Sequence, residues 1–234
     1  MTLEHDVHDM LGIELTPQQV SAFARYEKEL IAWNQRFNIT NFIEPDQIRT
    51  KHFLDSLSCW LAIRETPGSL IDVGAGGGFP GLPLKILKPV LPLTQVEATA
   101  KKAGFLDHLV QVLSLADATV IATRAEEVGQ LYEHREKYHW SVARAVAPLR
   151  VLAEYLLPLT EVGGFALAQK GKESEREIHE ATNAIEIMGG ELSQIIPVKV
   201  PHLDEKRVLV VIKKVSPTPP IYPRRPGIPA KRPV

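Results

Sequence analysis

The stretch from Leu70 to Gly81 constrains the fold of this chain more than any other. A short apolar run that contains one acidic residue is followed there by a cluster of glycines. An apolar run that ends in glycine predicts a buried parallel strand entering a tight turn, and apolar residues at helical spacing follow it. Because glycine lacks a Cβ and adopts positive φ, the turn can approach a flat ligand closely. The stretch therefore predicts a nucleotide-binding loop between a strand and a helix.

The glycines fit two different nucleotide-binding frames. Gly76, Gly78 and Gly81 match the GxGxxG fingerprint of dinucleotide-binding proteins. Asp72, Gly74 and Gly76 resemble instead the first motif of S-adenosylmethionine-dependent methyltransferases. A carboxylate at this turn suits a ligand that carries an ammonium and a sulfonium, whereas it would repel a pyrophosphate.

The neighbouring prolines favour the second frame. Pro80 and Pro83 lie where a pyrophosphate would need backbone N–H donors, and proline has none. A nicotinamide-dependent oxidoreductase stays open as an alternative, since the first frame is complete. A non-catalytic RNA-binding assembly factor is a second alternative.

Composition bounds the class of protein. At 234 residues, with 44% hydrophobic and 24% charged residues, the chain can bury one α/β core with an appendage. Its one cysteine, Cys59, excludes a disulfide framework and suits a reducing cytoplasm, where we expect the protein to work. We expect no membrane span and no metal site. The net charge of −1 hides a basic end, because eight Lys or Arg and no acidic residue follow Asp204-Glu205.

The first 66 residues predict a helical cap. Thr16, Pro17 and Gln19 form a capping box at the start of a helix, and aromatic residues follow on one face of it. A second helix is predicted from Asp46, with Cys59 as a buried residue. Pro67-Gly68 closes the cap, residues 67–214 form the main domain, and residues 215–234 form a proline-rich basic tail. That tail is either an extended arm on RNA phosphates or a terminus draped on the surface.

Strand and helix patterns alternate after the glycine loop, as in a doubly wound parallel sheet. Further strands are predicted at residues 93–96, 119–123, 140–143 and 164–169, and a helix at 100–115. Glu97 ends the second strand, where a carboxylate can bind ribose hydroxyls. Arg124, Arg144 and Lys170 follow the next three strands at the ligand-binding edge. These three cations predict a positive rim for an anionic substrate such as RNA.

Several segments together resemble the glucose-inhibited division protein B family, which comprises bacterial small-subunit (16S) ribosomal RNA guanine-N7 methyltransferases. The likeness extends from about Thr16 to the C-terminus. The matching segments are Trp33-Asn34-x-x-Phe37-Asn38-Ile39-Thr40, His52-Phe53-Leu54-Asp55-Ser56, Asp72 to Gly81, Arg124-Ala125-Glu126-Glu127, Ala143-Arg144-Ala145 and Lys170-Gly171.

The resemblance implies a Rossmann-like methyltransferase fold, a mostly parallel sheet with a seventh, antiparallel strand, and S-adenosylmethionine as cofactor. It implies that Gly74, Phe79, Ala125, Glu126 and Arg144 contact the cofactor, beside the Gly76 and Glu97 positions predicted above. The implied target is a guanine in the decoding-region loop of small-subunit ribosomal RNA, free or within the assembling or assembled small subunit. We expect the enzyme to be a monomer.

The residues also bear on which atom is methylated. Carbon-5 methylation needs a cysteine near the fourth strand, and Cys59 lies in the cap. Exocyclic amine methylation usually uses an Asn or Asp before two prolines and an aromatic residue, and Arg144 to Pro148 does not fit. Guanine N7 carries a free lone pair and loses no proton. We therefore expect in-line displacement governed by orientation, without a catalytic acid, base or nucleophile.

Overall fold

A computed structural model describes residues 2–171 and 174–234 as one α/β unit. Its helices are α1 Leu3–Leu11, α2 Pro17–Asn34, α3 Pro45–Ile48, α4 Asp55–Leu57, α5 Trp60–Ile63, α6 Gly81–Leu87, α7 Ala100–Val112, α8 Ala125–Val128, α9 Leu149–Leu156, α10 Ser174–Ile187 and α11 Ile228–Lys231. Its strands are β1 Leu70–Val73, β2 Leu93–Val96, β3 Ala118–Ile121, β4 Tyr138–Arg144, β5 Thr160–Lys170, β6 Gly190–Val198 and β7 Arg207–Lys214.

The seven strands form a single sheet in the order β3-β2-β1-β4-β5-β7-β6. Strands β1 to β5 pair in parallel, and β7 is antiparallel to both β5 and β6. The predicted fold class and its antiparallel seventh strand are thus confirmed. The order reverses between β2-β1 and β4, which places a crevice for ligands at the carboxyl ends of these strands.

The boundaries of the predicted elements differ by a few residues. β2 begins and ends as predicted, while β5 starts at Thr160 instead of Gly164, because it pairs with Tyr138 at the start of β4. α7 ends at Val112, and Ser114 beyond it has φ of 51°, which no α-helix accommodates.

The helical cap packs its aromatic face against α6 and the glycine loop. Thr16 and Gln19 form the predicted capping box. Phe23, Tyr26 and Leu30 are buried, whereas Trp33 and Phe37 further along the chain are only partly buried. The predicted second helix is interrupted: after α3 the chain makes a π-helical segment, Arg49–Leu54, before α4. The thiol of Cys59 is buried, as predicted.

The C-terminal tail is packed on the domain and does not extend away from it. The guanidinium of Arg135 donates to the backbone carbonyls of Thr218 and Tyr222, each at 2.7 Å. Gln130 Nε2 donates to the carbonyl of Pro223 at 2.7 Å. The tail is therefore draped on the surface and is not extended, while a contact of its cations with RNA phosphates stays a prediction. Through the described ranges, 2–171 and 174–234, no helix combines the length and apolarity needed to span a bilayer.

Candidate active site

Two adjoining cavities open at the carboxyl edge of the sheet. The β4 cavity, of about 530 Å³, lies between the helical cap and the ends of β4 and β5. The β2 cavity, of about 470 Å³, lies between the ends of β1, β2 and β4 and helix α8. Both are lined by Gly74, Gly76, Lys102 and Ala145, so the glycine loop forms the boundary between them.

The glycine loop has the backbone conformation that its sequence predicts. Gly74, Gly76 and Gly78 have φ of 71°, 59° and 98°, the left-handed region that disfavours side chains. A Cβ on Gly76 would meet only the carbonyl oxygen of Gly74, at 3.8 Å, and would otherwise enter cavity space. Because Gly76 lines both cavities, a side chain here would occupy space at their boundary.

Asp72 lies below the loop and not in either cavity. Its side chain is fully buried, and Oδ2 accepts a hydrogen bond from the backbone N–H of Gly81 at 2.8 Å. Burial raises the pKa of this carboxyl to about 7. Asp72 thus ties β1 to the first turn of α6 and positions the loop, instead of facing a cationic ligand as its sequence position suggested.

The β2 cavity carries an acidic residue where β2 ends. Glu97 Oε2 accepts from the backbone N–H of Gly76 at 2.9 Å, and Oε1 accepts from that of Thr99 at 2.7 Å. These bonds fix the carboxylate at the cavity wall, beside the glycine loop. Ala125 and Glu126 lie opposite, at the start of α8, and Arg124 precedes them as an exposed residue.

The β4 cavity contains a buried cluster of charges centred on Asp55. Its Oδ2 accepts from Arg144 Nη1 at 3.0 Å, and its Oδ1 accepts from Arg207 Nε at 3.0 Å and from Gln169 Nε2 at 2.9 Å. The Asp55 side chain is 5% exposed. Three strand ends, of β4, β5 and β7, are thereby joined to α4 of the cap around one carboxylate.

An aromatic stack lies beside this cluster. The rings of His52 and Phe79 are parallel with centroids 4.3 Å apart, and the guanidinium of Arg144 lies 5.0 Å from the Phe79 centroid. Arg144 Nη2 lies 3.2 Å from His52 Nδ1, and Thr40 Oγ1 lies 2.7 Å from His52 Nε2. Since a guanidinium only donates, Nδ1 is the acceptor and Nε2 carries the proton. Burial, with the nearby Arg144 charge, lowers the pKa of His52 to about 3.

All nine predicted site residues line one of the two cavities. Gly74 and Gly76 line both. Of the remaining predicted site residues, the β4 cavity has Phe79, Arg144 and Lys170. The β2 cavity has Glu97, Arg124, Ala125 and Glu126. Lys170 is ion-paired with Glu177 at 2.6 Å and donates to the carbonyl of Ala147 at 2.7 Å. Two of the three predicted rim cations, Arg144 and Lys170, are therefore held by partners within the protein.

Sequence reasoning missed Asp55, Gln169, Arg207 and Tyr155. Asp55 appeared only as part of a matching segment, and Gln169 directly precedes the predicted Lys170. Arg207 was counted only as part of the basic C-terminal end, although β7 places it at the β4 cavity. Among the residues that the structure describes, no group of three or more His, Cys, Asp or Glu side chains is arranged to hold a metal ion.

The chain resembles proteins of known structure in its fold. NSun6 from Pyrococcus horikoshii superposes with a TM-score of 0.55 at 10% identity, over 71% of this chain and 52% of that one. TYW2 from M. jannaschii, solved in complex with AdoMet, superposes with a TM-score of 0.52 at 12% identity, over 69% and 77% of the two chains. At such identities the likeness concerns the methyltransferase-type fold alone.

Sequence comparison identifies the family. The family model described as "rRNA small subunit methyltransferase G" matches residues 19–209. Ribosomal RNA small subunit methyltransferase G of Roseiflexus castenholzii is 52% identical over 223 residues, 95% of each chain. The protein of that name from Desulforamulus reducens is 44% identical over 236 residues, 100% of this chain and 98% of its own. This agreement over nearly the whole length, together with the predicted motifs at the two cavities, shows that the chain belongs to the rRNA small subunit methyltransferase G family.

Proposed function

We propose that this protein transfers a methyl group from S-adenosylmethionine to N7 of a guanine in the decoding-region loop of small-subunit ribosomal RNA. The observation that carries the proposal is the pair of cavities meeting at Gly74 and Gly76. Such a pair can hold a nucleoside on one side and a methyl acceptor on the other. Family membership supplies the class of reaction and of substrate.

The residues present fit the cofactor. The β2 cavity offers the fixed Glu97 carboxylate to ribose hydroxyls and the start of α8, at Ala125 and Glu126, to an adenine. Gly76 adds no side chain to the wall that the two cavities share. In the β4 cavity, Phe79 and Arg144 would hold the methionine end of the cofactor. S-adenosylmethionine supplies, when bound, an electrophilic methyl group on a sulfonium.

The charge cluster around Asp55 fits a methyl acceptor that does not have to lose a proton during the reaction. Both ring nitrogens of His52 are engaged, and its pKa of about 3 makes it a weak base at neutral pH. Asp55 accepts from three side chains, and Asp72 lies outside the cavity. Guanine N7 attacks through a lone pair that is already free. The protein's task is then to orient the purine against the methyl group, with no general base.

The target guanine must be accessible. N7 lies in the major groove, which is deep and narrow in A-form RNA, so the guanine has to be in a loop or otherwise opened. Arg124, at the edge of the β2 cavity, would contact phosphates, while Arg144 and Lys170 would form the cationic rim near the base. We further propose that the enzyme acts as a monomer in the cytoplasm, where the RNA is made and assembled.

Nucleoside analysis tests the proposal. Unmodified 16S transcript and small ribosomal subunits lacking this modification are incubated with tritiated S-adenosylmethionine, digested and separated. Label in 7-methylguanosine, mapped to one loop position, supports the proposal. Label in another methylated nucleoside contradicts the N7 assignment. Binding of RNA without any label would favour the assembly-factor alternative, and binding of NADH in place of S-adenosylmethionine would favour the oxidoreductase.

A further inference from the structure

The last residues of the chain lie against the β2 cavity. Ala230, in α11, lines this cavity together with Glu126 and Tyr155. We call residues 224–232 the clasp segment. A contact with RNA was one of the two predictions for the tail, and this segment lies beside the site proposed for the cofactor.

The first anchor of the clasp segment is an ion pair with α9. Arg224 donates to Glu154 from its backbone N–H at 2.7 Å, from Nε at 2.9 Å and from Nη2 at 2.6 Å. The Glu154 side chain is 1% exposed. A two-pronged guanidinium bond to a buried carboxylate is strong and specific in geometry. The Arg224 charge is thus used within the protein.

The second anchor joins the clasp segment to the cavity wall. The backbone N–H of Gly227 donates to Glu126 Oε1 at 2.8 Å, and Gly227 has φ of 83°, which suits glycine. The Glu126 side chain is 3% exposed and also forms a hydrogen bond with Tyr155. Burial, followed by the Glu126 charge and this bond, raises the pKa of Tyr155 to about 12. The carboxylate of Glu126 therefore holds the tail, and its backbone is left to face a ligand.

We infer that the clasp segment is a wall of the cofactor site and strengthens binding of S-adenosylmethionine and of its product S-adenosylhomocysteine. The inference rests on the proposed function, since it assigns the β2 cavity to the nucleoside half of the cofactor. Arg224 and Gly227 are positioning residues: they hold Glu126 and Ala230 in place. Docking of the segment and binding of the ligand are thermodynamically linked. If docking strengthens ligand binding by a given factor, the bound ligand must stabilise the docked segment by that same factor.

Isothermal titration with S-adenosylhomocysteine tests the inference on three variants of the full protein. Arg224→Ala removes the anchor, and deletion of residues 224–234 removes the whole segment while keeping the carbonyls that Arg135 and Gln130 bind. Arg225→Ala is the matched control, because Arg225 is the exposed neighbour with the same charge. We expect Kd to rise about fivefold or more in the first two variants and to stay within about twofold in the control. A Kd within that margin for both test variants overturns the inference.

Hydrogen exchange on the unaltered protein gives a second readout, which a merely structural role would not move. The amides of Ile228, Lys231 and Arg232 donate within the segment. Saturating S-adenosylhomocysteine should slow their exchange by the same factor as the change in Kd. Unchanged exchange contradicts the inference, even if the truncated variant fails to fold.

The two proposals fail in different ways. If the wild type binds the cofactor but methylates no RNA, the proposed function fails and the clasp inference stands on the Kd values. If the wild type methylates RNA and the variants bind the cofactor as tightly as it does, the clasp inference fails alone.

Discussion

The Arg144 guanidinium at the end of β4 donates to the Asp55 carboxylate in the helical cap across 3.0 Å. The two residues are 89 positions apart in the chain. Their side chains are 12% and 5% exposed, so the ion pair is shielded from water. It therefore joins the cap to the sheet at the β4 cavity, where Arg144 also lies over the ring of Phe79.

Asp55→Asn is expected to destabilise the protein and to impair methyl transfer. The change leaves Arg144 and Arg207 partly buried beside a neutral group, which costs about 3 kcal/mol in the free energy of unfolding. Urea unfolding measures the loss, and initial rates measure the catalytic effect. Asp46→Asn is the control, because that side chain is 88% exposed and its ion pair is worth less than about 1 kcal/mol. Equal losses for the two variants would contradict the role given to Asp55.

Asp72→Asn is expected to change how stability depends on pH. The folded-state pKa of Asp72, about 7, lies above its ordinary value of 3.8. The folded state thus retains a proton that the unfolded chain loses, so this stabilisation is full below pH 3.8 and is lost as the pH rises through 7. The free energy of unfolding of the wild type minus that of Asp72→Asn should fall by on the order of 4 kcal/mol from pH 4 to pH 8.

Unfolding curves at several pH values measure this difference. The pKa of His52 is lowered in the folded state, so this residue destabilises the fold as the pH drops below 6.5. His52 is present in both proteins, so its contribution cancels when the free energy of unfolding of the variant is subtracted from that of the wild type. Asp107→Asn, at an exposed position of α7, should show a flat difference. A flat difference for Asp72→Asn as well would contradict the burial argument.

Gly76→Ala is expected to weaken cofactor binding more than it weakens the fold. The new methyl group would enter the space between the two cavities, so Kd for S-adenosylhomocysteine should rise more than about tenfold. The left-handed backbone adds about 1 kcal/mol of strain. Gly12→Ala is the matched control: Gly12 has φ of 69° and open space around it, at the end of α1. Loss of binding in both variants would mean that strain alone is responsible.

Arg124→Ala is expected to weaken RNA binding and to reduce its salt dependence. Each phosphate contact that is lost should lower the slope of log K against log salt by about one. Lys170→Ala should lower stability as well as RNA binding, because Lys170 is 10% exposed and paired with Glu177. Filter binding at several salt concentrations compares the two variants. An unchanged slope for Arg124→Ala would remove this residue from the proposed RNA contacts.

Much of the fold could be predicted because its signals are local. The glycine loop can be read from twelve consecutive residues, and Glu97 directly follows the predicted strand β2. Parallel strands bring their carboxyl ends to one edge, so residues that follow strands, such as Arg124, Arg144 and Lys170, could be assigned to the cavities without coordinates.

The rest could not be predicted because it depends on contacts between distant parts of the chain. Asp55 receives hydrogen bonds from Gln169 and Arg207, 114 and 152 positions away. Prolines and cations are the tail's main features in the sequence, and nothing local indicates that Arg224 pairs with Glu154. The role of Asp72 was misjudged for a related reason, since its partner is the backbone of Gly81 and not a side chain with a recognisable pattern.

Because Cys59 is buried, a second cysteine introduced at the surface can be labelled selectively to measure motions of this enzyme. Cys59 is the single thiol of the chain, it is covered by the core, and burial raises its pKa, so thiol-directed dyes will leave it unmodified under mild conditions. A fluorophore can therefore be attached through Arg225→Cys without first removing the native sulfur. Its emission would report, in real time and during turnover, whether the chain's end swings free between one ribosomal substrate and the next.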